Sequence, residues 1–259
     1  MTTSNKPWSV LIPVLLLAVL LGVCLLNGGD YWLFIQGNRL AQSLPPTFWQ
    51  ILSTLADPLA APLIVFALFY KQPLFLRALL IGAIMALTVS FGLKYGFGLP
   101  RPTDVLAAHE FVKSGPDMQS PSFPSGHTIT IFLLMSLISH WFGNMHLTVS
   151  LFVIALGISL SRIAVGAHWP SDILLGALLG WAIGWVAIQI NQQISQRLGD
   201  TLSEKWLLSI YFTGLLTGIY ALITKTPYPD GQWLSTAAAL FAIAYGLRSI
   251  TECLHQQKG

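Results

Sequence analysis

Three short polar stretches of this sequence carry side chains suited to the chemistry of a phosphate ester. Lys94, Arg101 and Arg162 supply three cations, and such cations neutralise phosphoryl oxygens, arginine through two parallel hydrogen bonds. His127 and His168 supply two imidazoles, a side chain that serves as a general acid or as a nucleophile. The combination predicts a site that binds and transfers a phosphoryl group.

Three neighbouring residues would complete such a site. Ser125 and Gly126 stand directly before an apolar run, where the first N–H groups of a helix form an anion site that the helix dipole favours. Asp172 follows His168 by four residues, which is close enough to orient the imidazole and to stabilise an imidazolium, as a carboxylate does in a catalytic triad. We therefore expect Asp172 to assist His168.

Most of these residues also have a purely structural interpretation. Lys94 and Arg101 would snorkel at a lipid interface, and Ser125 and Asp172 would cap the helices that follow them. Arg162 is the exception, because a lone arginine within an apolar membrane segment is costly. The structural interpretations must hold in all three stretches at once, which favours a common site.

The remaining histidines and both cysteines receive no chemical role. Cys24 and Cys253 are expected to pack as small apolar residues of helices. A metal site needs several histidine or acidic ligands with supporting groups, whereas here two histidines and one aspartate stand among three cations. We predict neither a metal nor another cofactor. The histidines without a clustered partner are His109, His140, His146 and His255.

The composition places these residues in a membrane protein. Only 9% of the 259 residues are charged and 54% are hydrophobic, whereas an average soluble domain has roughly 25% charged residues. Such a composition excludes a soluble domain and a disordered chain. No basic run could track a nucleic acid backbone, so we expect bilayer lipids and a phosphorylated lipid substrate as partners and no nucleic acid. The sequence makes no prediction of an oligomeric state.

The apolar runs predict eight membrane-spanning helices, since each span needs about 20 mostly apolar residues. The fold class is therefore all-α, a polytopic transmembrane helix bundle within a single membrane domain, residues 1–259. We interpret the first run as a retained anchor and not as a cleaved signal peptide. The predicted spans are Trp8–Leu26, a run over Phe48–Tyr70 that Asp57 and Pro58 interrupt, Phe75–Leu93, Thr128–Phe142, Leu147–Val165, Ile173–Ile190, Trp206–Ile223 and Trp233–Leu247.

The distribution of Lys and Arg predicts the orientation of the bundle. With the N-terminus inside, seven such residues, among them Lys6, lie on the cytoplasmic side and six lie outside, three of which belong to the polar stretches. We expect a cytoplasmic N-terminus, with Lys94–His127 and Val165–Ser171 facing outward. In a bacterial cell this would be the inner (plasma) membrane, crossed several times, with the site facing the periplasm.

Glycine spacing predicts which helices pack closely. Gly176, Gly180 and Gly184 recur every four residues on one face of a span, and Gly214 and Gly218 repeat this spacing in another. Small residues at this interval let helix backbones approach each other in lipid.

Taken in order, the three polar stretches resemble the signature of the type 2 phosphatidic acid phosphatase superfamily, which includes membrane lipid phosphatases and soluble vanadium haloperoxidases. The resemblance covers Leu74–Asn191 and implies a six-helix phosphatase core, which leaves the helix pair Trp206–Leu247 as a C-terminal extension. The matching elements are Lys94-x6-Arg101-Pro102, Pro124-Ser125-Gly126-His127 and Ser161-Arg162-x5-His168-x3-Asp172.

The resemblance also implies a mechanism without a metal. His168 would attack phosphorus and form a phosphohistidine while Asp172 holds its ring, and His127 would protonate the leaving oxygen and later activate water. The phosphoryl oxygens would be held by Lys94, Arg101, Ser125, Gly126 and Arg162.

For the substrate, the resemblance favours undecaprenyl pyrophosphate, because small bacterial members often recycle that carrier. Phosphatidylglycerophosphate, phosphatidic acid and lipid A phosphates are alternatives, and the phosphate could pass to another lipid instead of to water. A non-catalytic lipid-binding or transport protein is the alternative of another class. Retention of both histidines opposes it.

Overall fold

The computed structural model describes residues 8–26 and 28–255, with side chains from residue 11 onward, and all regular secondary structure in this part is helical. The all-α prediction is confirmed. Two of the seven Lys and Arg residues predicted on the cytoplasmic side, Lys6 and Lys258, lie outside the described residues. The helices are α1 Trp8–Leu25, α2 Gly29–Ala41, α3 Pro46–Leu55, α4 Ala60–Phe69, α5 Pro73–Phe97, α6 Pro102–Val105, α7 Gly126–Phe142, α8 Met145–Ala164, α9 Pro170–Leu198, α10 Glu204–Thr224 and α11 Gln232–His255, with a 3-10 turn at Pro229–Gly231.

Every predicted span coincides with a helix or a bent pair of helices, and the chain is a multi-pass membrane protein. In the described residues, five helices are long and apolar enough to cross a membrane, or seven if each bent pair counts as one span. The prediction of eight spans exceeds the first of these counts by three and the second by one. Helix α7 has 17 residues, about 25 Å, and is therefore shorter than a hydrocarbon core of about 30 Å.

Two breaks in the helices shape the end of the bundle at which the site lies. Helices α3 and α4 are bent by 58°, and the Asp57 carboxylate accepts hydrogen bonds from the backbone N–H groups of Leu59 and Ala60 at 2.9 and 3.0 Å. Helix α2, which we did not predict, follows α1 at a bend of 101°. Its Asp30 carboxylate accepts hydrogen bonds from the backbone N–H and the hydroxyl of Ser171, so α2 braces the start of α9.

The predicted glycine face of α9 packs directly on α7. A Cβ atom at Gly176 would lie 2.9 Å from the Ser125 carbonyl oxygen, and one at Gly184 would lie 2.6 Å from the Ser136 Cβ. Only glycine permits this approach. The contact fixes the beginning of α7 against the beginning of α9, and those two helix starts carry two of the three polar stretches.

The C-terminal pair packs against α4 and α5 in the larger apolar core. The ring of Phe66 occupies the space that a side chain at position 214 would need, and the Tyr211 hydroxyl donates a hydrogen bond to the Tyr70 carbonyl at 3.1 Å. Large apolar side chains on the outer helix faces are exposed, for example Leu87 and Phe91 on α5, as expected for a surface that faces lipid.

Candidate functional site

The three polar stretches meet at one end of the bundle. Lys94, in the last turn of α5, donates hydrogen bonds from Nζ to the carbonyl oxygens of Pro121 and Ser122 at 2.6 and 3.2 Å. The Ser125 N–H donates to the Asp172 carbonyl at 3.1 Å. The first stretch thus contacts the second, and the second contacts the third.

Arg101 is buried and uses its guanidinium to tie loops together. Nε and Nη2 donate to the carbonyl oxygens of Ser120 and Pro121 and to the Ser120 hydroxyl, and Nη1 donates to the Ala167 carbonyl at 2.9 Å. Nη1 also lies 3.2 Å from His168 Nε2. A guanidinium has five N–H donors, and these contacts engage all of them.

His168 lies in the turn between α8 and α9 and is held at both ring nitrogens. Nδ1 lies 3.0 Å from Asp172 Oδ2. Because arginine only donates, the contact of Arg101 with Nε2 requires Nε2 to be the acceptor, so the proton of the neutral ring resides on Nδ1. Burial, followed by the charges of Arg101, Arg162 and Lys94, holds the pKa of His168 well below its ordinary value of 6.5. The ring is therefore neutral, with its lone pair on Nε2.

Ser122 supports the same carboxylate, and sequence reasoning did not select it. Its hydroxyl is fully buried, donates to Asp172 Oδ2 and lies 3.3 Å from His168 Nδ1. Asp172 Oδ2 also accepts the Trp169 N–H at 2.9 Å, so the capping interpretation of Asp172 holds together with its contact to His168. Serines are frequent in this long loop, and nothing in the spacing distinguishes Ser122 from Ser120.

The beginning of α7 holds Ser125, Gly126 and His127. Ser125 is the N-cap residue, and its hydroxyl accepts a hydrogen bond from the Thr128 N–H at 3.4 Å, which is the capping role that we considered. His127 Nε2 is buried without a hydrogen-bond partner in the described part of the chain, and Asp57 Oδ2 lies 3.8 Å away. From the sequence, Asp57 could lie near the mouth of the site or mark the outer end of a tilted span, and the structure makes it a neighbour of His127.

Arg162 is the most unusual residue of the site. Its side chain is completely buried, and within residues 8–26 and 28–255 its Nε, Nη1 and Nη2 atoms have no hydrogen-bond partner. The guanidinium carbon lies 5.1 Å from the centroid of the Tyr228 ring. The Arg162 carbonyl meanwhile accepts the N–H groups of Ala167 and His168, so the same residue shapes the His168 turn. A buried cation with free donors has the chemistry to bind an anion.

An apolar cavity of about 340 Å³ adjoins this polar cluster. It begins beside Gly126 and Ser90 and runs between α4, α5, α7 and α10 to Leu76 and Leu133. From Ser90 to Leu76 the α5 wall is roughly 21 Å long. The polar cluster therefore lies at one end of an apolar chamber.

Comparisons with known proteins agree with this architecture. Residues 75–196 match the family model of the PAP2 superfamily. Aquifex aeolicus LpxE is similar in structure with a TM-score of 0.55 and 28% identity, over 62% of this chain and 94% of that one. A transmembrane PAP2 type phosphatidylglycerolphosphate phosphatase from Bacillus subtilis gives a TM-score of 0.54 and 20% identity, over 72% of this chain and 98% of that one, a likeness of fold. No curated protein matches the chain.

Proposed function

Residues 75–196 belong to the PAP2 superfamily, and from this premise we propose that the chain releases phosphate from a phosphorylated membrane lipid through a phosphohistidine on His168, without a metal. As a member of this family the protein is an enzyme that hydrolyses phosphate esters. The observation that carries the proposal is an Arg162 guanidinium without a hydrogen-bond partner among the described residues, in the same polar cluster as a His168 whose Nε2 holds a lone pair.

In the first step His168 Nε2 attacks phosphorus, the N–P bond forms and the bond between phosphorus and the leaving oxygen breaks. Asp172 holds the Nδ1 proton and stabilises the positive charge that develops on the ring. His127 gives its proton to the leaving oxygen. The Asp57 carboxylate lies 3.8 Å from His127 Nε2, on the ring that transfers this proton.

In the second step water takes the place of the leaving group. Neutral His127 accepts a proton from the water, the new P–O bond forms and the N–P bond breaks, which returns His168 to its neutral form and releases phosphate. If a lipid hydroxyl replaces water in this step, the same geometry performs phosphotransfer. Catalysis then rests on positioning and charge stabilisation.

The phosphoryl oxygens meet two kinds of cation. None of the three Arg162 nitrogens has a hydrogen-bond partner among the described residues, whereas Arg101 has every N–H engaged and Lys94 has two of its three. We assign Arg162 as the primary anchor. The Arg101 contact to His168 Nε2 must break before attack, and the freed N–H turns to a phosphoryl oxygen. Ser125 and Gly126 contribute the positive end of α7.

The apolar cavity supports a lipid as the substrate. Its lining begins at Gly126, the first residue of α7, and is almost entirely apolar below that level. A phosphorylated head group at Arg162 would leave its hydrocarbon chain beside this chamber. We place undecaprenyl pyrophosphate first among the substrates, with phosphatidylglycerophosphate, phosphatidic acid and lipid A phosphates as alternatives.

The test is phosphate release by purified protein in detergent from these lipids, with EDTA present. Release from at least one lipid is expected, and the fastest substrate identifies the class. His168→Ala should abolish release, and radiolabelled phosphate should remain bound to wild-type protein in an acid-labile form. If the protein binds a lipid of the panel but releases phosphate from none of them, the proposed enzymatic activity is wrong and the protein is a lipid-binding or transport protein. Transfer of label to an added lipid would identify a phosphotransferase.

We further propose that the site faces the periplasm across the inner membrane. The excess of Lys and Arg on the opposite side supports this orientation. Single cysteines placed at the exposed Lys113 and at Arg248, on a background without Cys24 and Cys253, test it. Labelling of intact cells by an impermeant maleimide should reach position 113 and not position 248. The reverse pattern would overturn the proposed orientation.

A further inference from the structure

Tyr228 contacts the proposed phosphoryl site although it lies outside residues 75–196, the segment that matches the PAP2 family model. It lies between α10 and α11, more than thirty positions beyond residue 196, and its side chain is completely buried. The ring centroid lies 5.1 Å from the Arg162 guanidinium carbon, and the ring meets that of His127 edge to face at 6.1 Å. One side chain of the C-terminal extension thus contacts two residues of the site.

The segment that carries Tyr228 is fastened to the rest of the bundle. The Thr47 hydroxyl donates to Asp230 Oδ2 at 2.7 Å, and the Asp230 N–H donates to Gln50 Oε1 at 3.3 Å. Gly231 packs so closely on Thr54 that a side chain at position 231 would have no room. These contacts to α3 hold the ring of Tyr228 in place over the site.

A ring is well suited to hold Arg162 without occupying it. The face of an aromatic ring attracts a cation but takes none of the in-plane N–H groups that bind phosphate. A carboxylate in the same position would neutralise the guanidinium and compete with the substrate. The Tyr228 ring therefore orients Arg162, and no group in the described part of the chain takes the N–H donors that a ligand would need.

We propose that Tyr228 is a positioning residue for phosphoryl transfer, and that the helix pair α10–α11 is part of the catalytic unit because it delivers this ring. The inference rests on the proposed function. Tyr228 acts through Arg162 and His127, which contact the phosphoryl group in that proposal. The extension therefore has a chemical role in addition to its packing role.

Three variants test this inference. Tyr228→Leu removes the aromatic face, Tyr228→Phe keeps it, and Tyr211→Leu is the matched control, because Tyr211 is a buried tyrosine of the same helix pair that packs on α4. The readouts are kcat/KM, the competitive inhibition constant of orthovanadate and the thermal midpoint. If Tyr228→Leu does not fold, Tyr228→Met refills more of the space without restoring a ring.

Tyr228→Leu should weaken orthovanadate inhibition and lower kcat/KM by about tenfold or more each. Tyr228→Phe should restore both to within about threefold of wild type, because the ring face remains. Tyr211→Leu should lower the thermal midpoint and leave the orthovanadate constant near the wild-type value. In an Arg162→Lys background, Tyr228→Leu should have less effect, because the partner of the ring is gone.

Two results would overturn the inference: orthovanadate inhibition that Tyr228→Leu and Tyr211→Leu weaken equally, or a Tyr228→Phe variant as impaired as Tyr228→Leu. Failure of the proposed function looks different, since wild-type protein would then release no phosphate. In that case the orthovanadate-induced rise in thermal midpoint still reports on the anion site. If Tyr228→Leu loses that rise while Tyr228→Phe and Tyr211→Leu retain it, the ring still contributes to anion binding.

Discussion

Arg162 and Arg77 are both buried arginines, but replacing Arg162 should stabilise the fold whereas replacing Arg77 should destabilise it. The Arg162 guanidinium has no hydrogen-bond partner among the described residues. Arg77 donates to the side-chain and backbone oxygens of Asn191 at 2.6 and 3.0 Å and to Ser195 at 2.7 Å. Comparing the two arginines therefore distinguishes a cation that would bind a ligand from a cation that stabilises the fold.

The magnitudes follow from what each substitution leaves behind. Arg162→Met replaces an unpaired buried charge with an apolar chain of similar length, and replacements of buried ionic groups by apolar residues stabilise by about 1–4 kcal/mol. Each kcal/mol shifts the thermal midpoint by roughly 2–4 °C in a chain of this size. Arg77→Met instead leaves buried acceptors on Asn191 unpaired, at a cost of about 1–3 kcal/mol for each one.

Arg162→Met should lower activity although it raises stability. Two charge-assisted hydrogen bonds to a phosphoryl group contribute about 1.5–3 kcal/mol each, so Arg162→Met should lower kcat/KM by roughly 10²–10⁴-fold. Orthovanadate should raise the thermal midpoint of wild-type protein and of Arg77→Met, since a ligand stabilises the state that binds it. It should leave that of Arg162→Met unchanged.

The assay is thermal unfolding in detergent with and without orthovanadate, together with phosphate release from the best lipid of the panel. An Arg162→Met protein that is less stable than wild type would refute the reasoning, because its guanidinium would then have been satisfied within the fold. Retention of more than about a tenth of the wild-type kcat/KM would refute the assignment of Arg162 as the anchor.

The His168 ring and the contact between α7 and α9 each give a further prediction. Because the pKa of His168 lies well below 6.5, the folded ring should stay neutral as the pH falls through 6.5, while the ring in denatured protein takes up a proton there. The neutral His168 therefore contributes most to the free energy of unfolding above pH 6.5, and this contribution is lost as the pH falls towards the folded pKa. Nitrogen NMR of labelled histidine, assigned with His168→Ala, measures it, and titration at about 6.5 would contradict it. Gly180→Leu should destabilise the fold by about 1–3 kcal/mol or more, since a Cβ there would lie 2.8 Å from the Phe132 Cβ. Gly157→Leu, where nothing lies within 4 Å, is the control, and equal thermal midpoints would contradict the prediction.

Short-range spacing in the sequence predicted the part of the site that lies on consecutive turns of one segment. The four-residue interval from His168 to Asp172 places the two side chains in contact, because His168 directly precedes the N-cap of α9 and Asp172 lies in the first turn of that helix. The interval of four between Gly176, Gly180 and Gly184 likewise predicted a close helix contact. Both inferences need only local geometry, which the backbone of a helix determines.

Residues that act from a distance in sequence were not predictable in the same way. Ser122 and Tyr228 reach the site from a long loop and a distant helix pair. Asp57 reaches it from a broken span, where the sequence left a place near the site as one of two alternatives. Their positions depend on how separate helices pack, and a serine or tyrosine has no spacing rule that marks it. Asn38 is a similar case, since its amide joins α2 to the backbone of Val112 and Ile163.

The two site arginines suggest why a membrane protein can hold three cations in one buried cluster. Cations in a low-dielectric site repel one another, and dipoles or an anion must compensate for the charge of each one. Backbone carbonyls meet Lys94 and Arg101, which therefore hold loops as well as charge. Arg162 is met only by the face of Tyr228 and by no acceptor in the described structure. A bound phosphoryl group would complete its hydrogen bonds, so ligand binding and the stability of this end of the bundle should be linked through Arg162.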